Sequence, residues 1–147
     1  MILKTRHFGE LSVEEENIFR FEEGILGFPE DHRYIVVRNP EPELPFDWLQ
    51  AVEHPELAFV ITDPFFFKDD YEFDIPEAVQ EKLDVWNPSD VLIYAITVIP
   101  DDLRQATMNL RAPLVLNTQT KLGCQLVLDN EACPVKFRLF PDSEKEE

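Results

Sequence analysis

The strongest constraint on the fold comes from two apolar segments near the end of the chain, residues 109–117 and 122–128. A polar connection of hairpin length, residues 118–121, joins them. From Leu122 to Leu128 every second residue is apolar and falls on one face, the period expected of a strand with one buried side. We therefore predict a strand pair that closes a β structure. Neither segment has a pattern typical of a catalytic nucleophile, a metal cluster or a phosphate-binding loop.

Further segments with strand character are spread along the chain, with turn-forming residues between them. Residues 91–99 are apolar on both faces, which indicates a central strand covered on each side. Many strands and little helix predict an all-β, mainly antiparallel fold, a small β-barrel or roll with one short helix. The other candidate strands are residues 2–8, 17–21, 33–38, 57–62 and 135–139.

The clearest helical pattern lies at residues 76–83. Asp74 is a candidate capping residue and Pro76 suits a first turn, after which good helix formers follow. Residues 45–50 are a candidate for a second, shorter helical turn. Residues 1–140 are expected to form a single β-barrel-like domain, and residues 141–147 a charged, disordered tail.

Length and cysteine content point to the cytoplasm. The longest apolar run is too short to span a bilayer, so no membrane association is predicted. The chain starts without a secretory apolar region. Its two cysteines are too few for a disulfide framework, which favours a reducing compartment.

The charge is strongly negative and unevenly distributed. The chain has a net charge of -17. Residues 103–140 carry five basic and two acidic side chains, or +3, which leaves -20 for the rest. Such a surface repels a phosphate backbone, so direct binding of nucleic acid is not expected. The acidity serves either solubility or the attraction of a basic partner.

One acidic segment has a spacing similar to that of a calcium loop. Acids alternate over residues 70–74, and Glu81 takes the twelfth position counted from the first of them. However, Ile75 stands at the sixth position, where the sharp turn of the loop requires glycine. The histidines also lack metal-ligand spacing. We therefore predict neither a metal nor a cofactor.

Three adjacent phenylalanines follow the turn Asp63–Pro64. They cannot all face one core in an extended chain. Either an irregular backbone buries all three, or at least one lies at the surface as an aromatic anchor beside acidic residues. The candidate partner-binding residues are Phe65, Phe66, Phe67, Asp69, Asp70, Tyr71, Asp101 and Asp102.

A carboxylate-based enzyme is the competing hypothesis. The adjacent acids are Asp69 with Asp70, and Asp101 with Asp102. Neighbouring residues of a strand point to opposite faces, so neither pair naturally shares a catalytic site. The residue pattern therefore favours a protein that is not an enzyme.

Several segments occur in a distinctive order and spacing. They are Phe21, residues 24–29, 45–50, 57–60 and 63–65, Tyr71, residues 109–117 and Gln125. Together they resemble the FliW family of bacterial flagellar assembly factors. The resemblance covers most of the chain, from about residue 8 to residue 139.

The resemblance implies a small cytoplasmic β-barrel protein with two competing partners. One partner is flagellin, which is held before export. The other is CsrA, a small dimeric RNA-binding regulator that blocks flagellin translation. When secretion frees the family member from flagellin, it binds CsrA and relieves the repression. An acidic mimic that competes for the RNA site of CsrA is a further alternative.

Overall fold

The computed structural model describes residues 2–6, 8–41 and 45–140, so the predicted tail at 141–147 lies outside the described residues. Short strands connected by turns make up most of this part of the chain. The strands are β1 (Ile2–Thr5), β2 (Gly9–Ser12), β3 (Phe19–Phe21), β4 (Arg33–Val37), β5 (Phe46–Ala51), β6 (Ala58–Thr62), β7 (Val91–Val98), β8 (Thr107–Met108), β9 (Leu114–Asn117), β10 (Leu122–Gln125) and β11 (Phe137–Arg138).

Seven of these strands close into a barrel. Their order around the ring is β7, β6, β5, β4, β3, β10 and β9, and β9 pairs again with β7. Every neighbouring pair in the ring is antiparallel except β3 with β10, which is parallel. The predicted mainly antiparallel barrel is confirmed, and the β9–β10 hairpin closes it as expected.

The barrel interior is filled by alternate residues of its strands. Phe21 and Tyr34 are fully buried there, and their rings meet edge to face with centroids 5.3 Å apart. Leu49, Ile61 and Leu116 belong to the same buried cluster. Because inward and outward side chains alternate along each strand, the outer faces need separate covers.

Different elements supply these covers. The β1–β2 hairpin packs Leu3 against Ile35 of β4 on one side. Leu83, at the end of helix α2 (Glu77–Lys82), joins Val115 of β9 in another buried cluster. The predicted helix at 76–83 is thus confirmed. Its capping differs from the prediction, because Pro76 itself occupies the N-cap position and no side chain caps the helix.

The predicted helical turn at residues 45–50 is wrong. Residues 46–50 lie in β5, which pairs with β4 on one edge and with β6 on the other. Leu49 and Ala51, two residues apart, are both fully buried. Pairing with two distant strands therefore decides the conformation, and the local signal from Pro45 does not.

Candidate functional site

Strand β7 is paired unequally along its length. On one edge, β9 pairs with residues 91–94. On the other edge, β6 pairs only with residues 95–97. In the described part of the chain, no strand lies against residues 91–94 on the side of β6. We call this stretch the open edge.

Hydrogen bonds of β9 show which way its backbone groups point. The carbonyl of Pro113 accepts from Leu126 N at 2.8 Å, and that of Asn117 accepts from Lys121 N at 2.9 Å. Both bonds run toward β10. Because backbone groups alternate between the two edges of a strand, Leu114 and Leu116 direct theirs toward β7.

The same alternation fixes the direction of the backbone in β7. Leu92 stands opposite Leu116, and Tyr94 opposite Leu114, so both bond to β9. Ile93 lies between them, and its N–H and C=O therefore point to the open edge. Neither group has a hydrogen-bond partner among the described residues.

The open edge exists because β6 ends early. Pro64 has no N–H to donate and a fixed φ, so it suits the first position of a helix. The Oδ1 atom of Asp63 accepts a hydrogen bond from Phe65 N at 2.9 Å and caps the turn. The chain consequently forms the short helix α1 (Pro64–Phe67) where a continued β6 would have paired with β7.

Helix α1 distributes the three phenylalanine rings between surface and core. Phe66 is 68% exposed and Phe65 37% exposed, whereas Phe67 is half-buried. The Phe67 ring stacks on Phe46 with centroids 6.1 Å apart and meets Phe140 edge-on at 5.9 Å. The expectation of at least one surface ring is confirmed. A helical turn, which the sequence reasoning missed, produces it; the Asp–Pro pair was the available signal.

Trp86 is a second exposed aromatic residue that sequence reasoning missed. It is 84% exposed, and its indole Nε1 donates to Asp84 Oδ1 at 2.6 Å. Asp84 follows the end of α2 with a φ of 59°, a left-handed conformation that commonly ends helices. A tryptophan held in solvent by a local hydrogen bond is a frequent component of protein interfaces.

Two grooves lie along the open edge. The Trp86 groove has a volume of about 530 Å³ and contains Phe65, Tyr71, Phe73, Trp86 and Ile93 in its lining. Among the described residues that line it, the charged ones are two carboxylates, Glu72 and Asp74.

The Arg38 groove adjoins the Trp86 groove at Val91 and Ile93, which line both, and has a volume of about 880 Å³. Its lining includes Arg38, Asp47, Leu92 and Tyr94, and Phe65 borders both grooves. The guanidinium of Arg38 lies 4.0 Å from the carboxylate of Asp47. Burial raises the pKa of Tyr94, so this phenol stays neutral at ordinary pH.

The predicted residues next to α1 have separate roles. Asp69 is exposed. Asp70 pairs with Lys68 at 2.7 Å, and this hydrogen bond holds the pKa of its carboxyl below the usual value. The Tyr71 hydroxyl donates to the carbonyl of Leu110 at 2.6 Å, and burial raises the pKa of Tyr71. Tyr71 therefore fixes the wall of the Trp86 groove.

The predicted acids Asp101 and Asp102 lie elsewhere. Both are exposed and follow β7 at the end opposite to the open edge. Asp102 caps a short 3₁₀ turn, and its hydrogen bond from Arg104 lowers the pKa of its carboxyl. Neither acid lines the Trp86 groove or the Arg38 groove.

Among the described residues, no group of three or more His, Cys, Asp and Glu side chains is arranged to hold a metal ion. No helix in this part of the chain has both the length and the apolar character needed to cross a membrane.

The fold and the site define a small closed β-barrel with exposed aromatic residues beside an unpaired strand edge. The family model described as FliW protein matches residues 2–139, and the chain belongs to the FliW family. It is 49% identical to the flagellar assembly factor FliW of Alkaliphilus metalliredigens over 145 residues, covering 99% of this chain and 90% of the relative.

Two further comparisons agree. The flagellar assembly factor FliW of Ruminiclostridium cellulolyticum is 44% identical over 147 residues, with 100% of this chain and 99% of the relative covered. A crystal structure of the flagellar assembly factor FliW superimposes with a TM-score of 0.90 at 36% identity, covering 97% of this chain and 99% of that chain.

Proposed function

We propose that this protein is a cytoplasmic flagellar assembly factor that acts by binding proteins and is not an enzyme. It binds flagellin before export. After its release from flagellin it binds CsrA, antagonises this translational regulator, and so relieves repression of flagellin translation. Family membership supports the role in flagellar assembly, and the expectation about the two partners comes from what the FliW resemblance implies.

The observation that best supports a binding role is the surface along the open edge. Phe65, Phe66 and Trp86 are exposed together with an unpaired stretch of backbone. Exposed aromatic residues next to polar groups are the usual anchors of protein interfaces. The surrounding acids would in addition attract a basic RNA-binding protein.

The positions of the acids give little support to a carboxylate enzyme. Asp70 is paired with Lys68, and Asp102 with Arg104. A general acid with a carboxylate partner requires two carboxyl groups facing one substrate position. Among the described residues, neither adjacent pair lines the Trp86 groove or the Arg38 groove.

A reconstituted repression assay tests the proposal. CsrA is bound to a labelled flagellin leader RNA, and this protein is added at increasing concentration. We expect the RNA to be released and its translation to recover. Addition of purified flagellin should then restore repression, because it removes this protein from CsrA. Persistent repression at saturating concentrations of this protein would contradict the proposed function.

The acidic-mimic alternative is distinguished by mapping on CsrA. A mimic must cover the RNA-binding residues of the regulator, because it acts by competing with RNA for that site. The complex is cross-linked and the contacted CsrA residues are identified. These contacts show whether this protein binds at the RNA site of CsrA or at a separate site. The charge of -20 outside residues 103–140 is the observation that keeps this mechanism in consideration.

A further inference from the structure

The two grooves meet at the open edge of β7. Leu92 and Tyr94 pack with the barrel-interior cluster, whereas Val91 and Ile93 pack on the outer face near Leu83. All four residues line the Arg38 groove, whereas the Trp86 groove is lined by the outward pair only, so the inner face of the edge opens into the Arg38 groove alone. A strand placed along this edge would therefore direct successive side chains alternately into the two grooves.

The unpaired backbone is the second part of the site. The N–H and C=O of Ile93 point to the open edge and have no partner in the described structure. Addition of an extended segment would provide both hydrogen bonds. Strand addition to a sheet edge combines such main-chain bonds with pockets that take alternate side chains.

The lining indicates which side chains fit. Tyr71, Phe73 and Trp86 give the Trp86 groove an aromatic wall suited to a large apolar residue. Glu72 and Asp74 line the same groove. A lysine or arginine two positions from the apolar residue lies on the same face of an extended segment and can pair with one of these carboxylates.

We infer that the open edge of β7 is a strand-addition site. It binds an extended segment of a protein partner that has an apolar residue and, two positions away, a lysine or arginine. The segment pairs with Ile93 and inserts its side chains into the Trp86 and Arg38 grooves. The inference rests on the proposed function, because it names the surface through which a protein partner is held.

The test combines a backbone variant with amide exchange, using the full chain and purified flagellin and CsrA. Ile93→Pro removes the N–H that the added strand would use, and Ile93→Ala is the matched control that keeps it. We expect the proline variant to bind at least one partner about tenfold more weakly than the alanine variant. When the unaltered protein binds the same partner, the Ile93 amide should exchange more slowly than in the free protein. The Leu92 amide should change little, because it is already protected by β9.

The outcomes separate the two claims. Equal affinity of the proline and alanine variants, with both folded, overturns the inference. If the proline variant does not fold, amide exchange in the unaltered protein is the deciding measurement. An Ile93 amide that exchanges equally fast in the complex and in the free protein overturns the inference and leaves the proposed function intact. If neither flagellin nor CsrA binds the unaltered protein, the proposed function itself is wrong.

Discussion

The two halves of β7 belong to one continuous strand yet differ in their surroundings. Residues 95–97 have β6 on one edge, and β8 pairs with residues 97–98 on the other. Residues 91–94 have β9 alone. The difference arises at Asp63, where the chain leaves the sheet and forms α1.

This difference shows how a closed barrel can still present an edge. Closure of the ring requires only that each strand be paired over part of its length. Unprotected edges are normally covered or charged, because they pair with other chains. Here the edge is flanked by the exposed ring of Phe65 and by the connection between α2 and β7, residues 83–90, which carries the exposed ring of Trp86 and is called the Trp86 loop. We attribute stability to the paired edges of β7, including the bonds of residues 91–94 to β9, and we propose that the unpaired edge of residues 91–94 serves partner binding.

The largest effect is expected from proline at adjacent positions of the open half. Leu92→Pro removes a hydrogen bond to β9 that closes the barrel, and should lower the free energy of unfolding by about 3 kcal/mol or more relative to Leu92→Ala. Ile93→Pro removes an N–H that points away from β9. Relative to Ile93→Ala, Ile93→Pro should lower the free energy of unfolding by roughly 1 kcal/mol. Urea unfolding of the four variants measures both differences in unfolding free energy. If proline lowered stability equally at the two positions, the backbone groups of Leu92 and Ile93 would not point to opposite edges as described.

A smaller but still large effect is expected at Asn117, which pairs with Val91 at the end of the open half. Its buried Nδ2 donates to the carbonyls of Leu83 and Asp84 at 3.0 and 3.1 Å and so ties the Trp86 loop to the barrel. Asn117→Asp replaces this donor with a buried carboxylate. We expect a loss of about 3 kcal/mol in unfolding free energy at neutral pH.

Asn109 offers the matched control for Asn117. Its Oδ1 accepts from Arg111 N at 3.0 Å and from Ala112 N at 3.1 Å, roles that an aspartate retains. Asn109→Asp should therefore change stability little. In the Asn117→Asp variant, burial raises the pKa of the introduced carboxyl above its unfolded value, so the penalty should shrink as pH falls. Equal penalties for the two variants, independent of pH, would show that the bonds to the Trp86 loop are unimportant.

A moderate effect on binding is expected from the exposed ring of α1. Phe66→Ala should weaken binding of a protein partner by about 1–2 kcal/mol and leave thermal stability nearly unchanged, because a surface ring contributes little to the core. Phe67→Ala is the comparison, since this ring packs on Phe46 and its loss should lower stability. Calorimetric titration and thermal unfolding measure both quantities. Intact binding together with lost stability in each single variant of Phe65, Phe66 and Phe67 would remove the anchor hypothesis.

The smallest effect concerns the acidic surface. The net charge of -17 should accelerate the encounter with basic CsrA, and added ions should screen this attraction. We expect the association rate to fall by about tenfold between low and high salt, with a smaller change in the dissociation rate. Stopped-flow measurements over a salt series test this. A flat association rate would indicate that the acidity serves solubility only.

Much of the barrel could be predicted from the sequence because its strands have local signatures. Period-two patterns located β3, β6 and β10, and a segment apolar on both faces located β7. The density of β-branched residues located β4, and the polar connection at residues 118–121 located β9 as the other arm of the closing hairpin. Asn109 and Asn117 follow a local rule as well, because the Oδ1 of each accepts a hydrogen bond from the backbone N–H two residues further on, as asparagine commonly does at turns. The β5 segment was wrongly predicted as a helical turn, because its conformation depends on pairing with distant strands.

The site was less predictable because it depends on long-range register. No local pattern shows that β6 stops beside Ala95 while β9 continues along Val91. The exposure of Trp86 depends on the left-handed Asp84, where glycine is the usual helix-ending residue. The aromatic character of residues 65–67 was recognised, whereas the helical turn that divides their rings between surface and core required the Asp63 cap to be identified.

Amide hydrogen exchange in the free protein tests the central claim most directly. Ile93 and Ala95 have backbone groups on the same edge of β7, but only Ala95 lies opposite a residue of β6, Thr62. We predict that the Ile93 amide exchanges much faster than the amides of Leu92 and Ala95, by about tenfold or more. Exchange of Ile93 at the same slow rate as Ala95 would mean that the edge is already paired, and it would contradict the account.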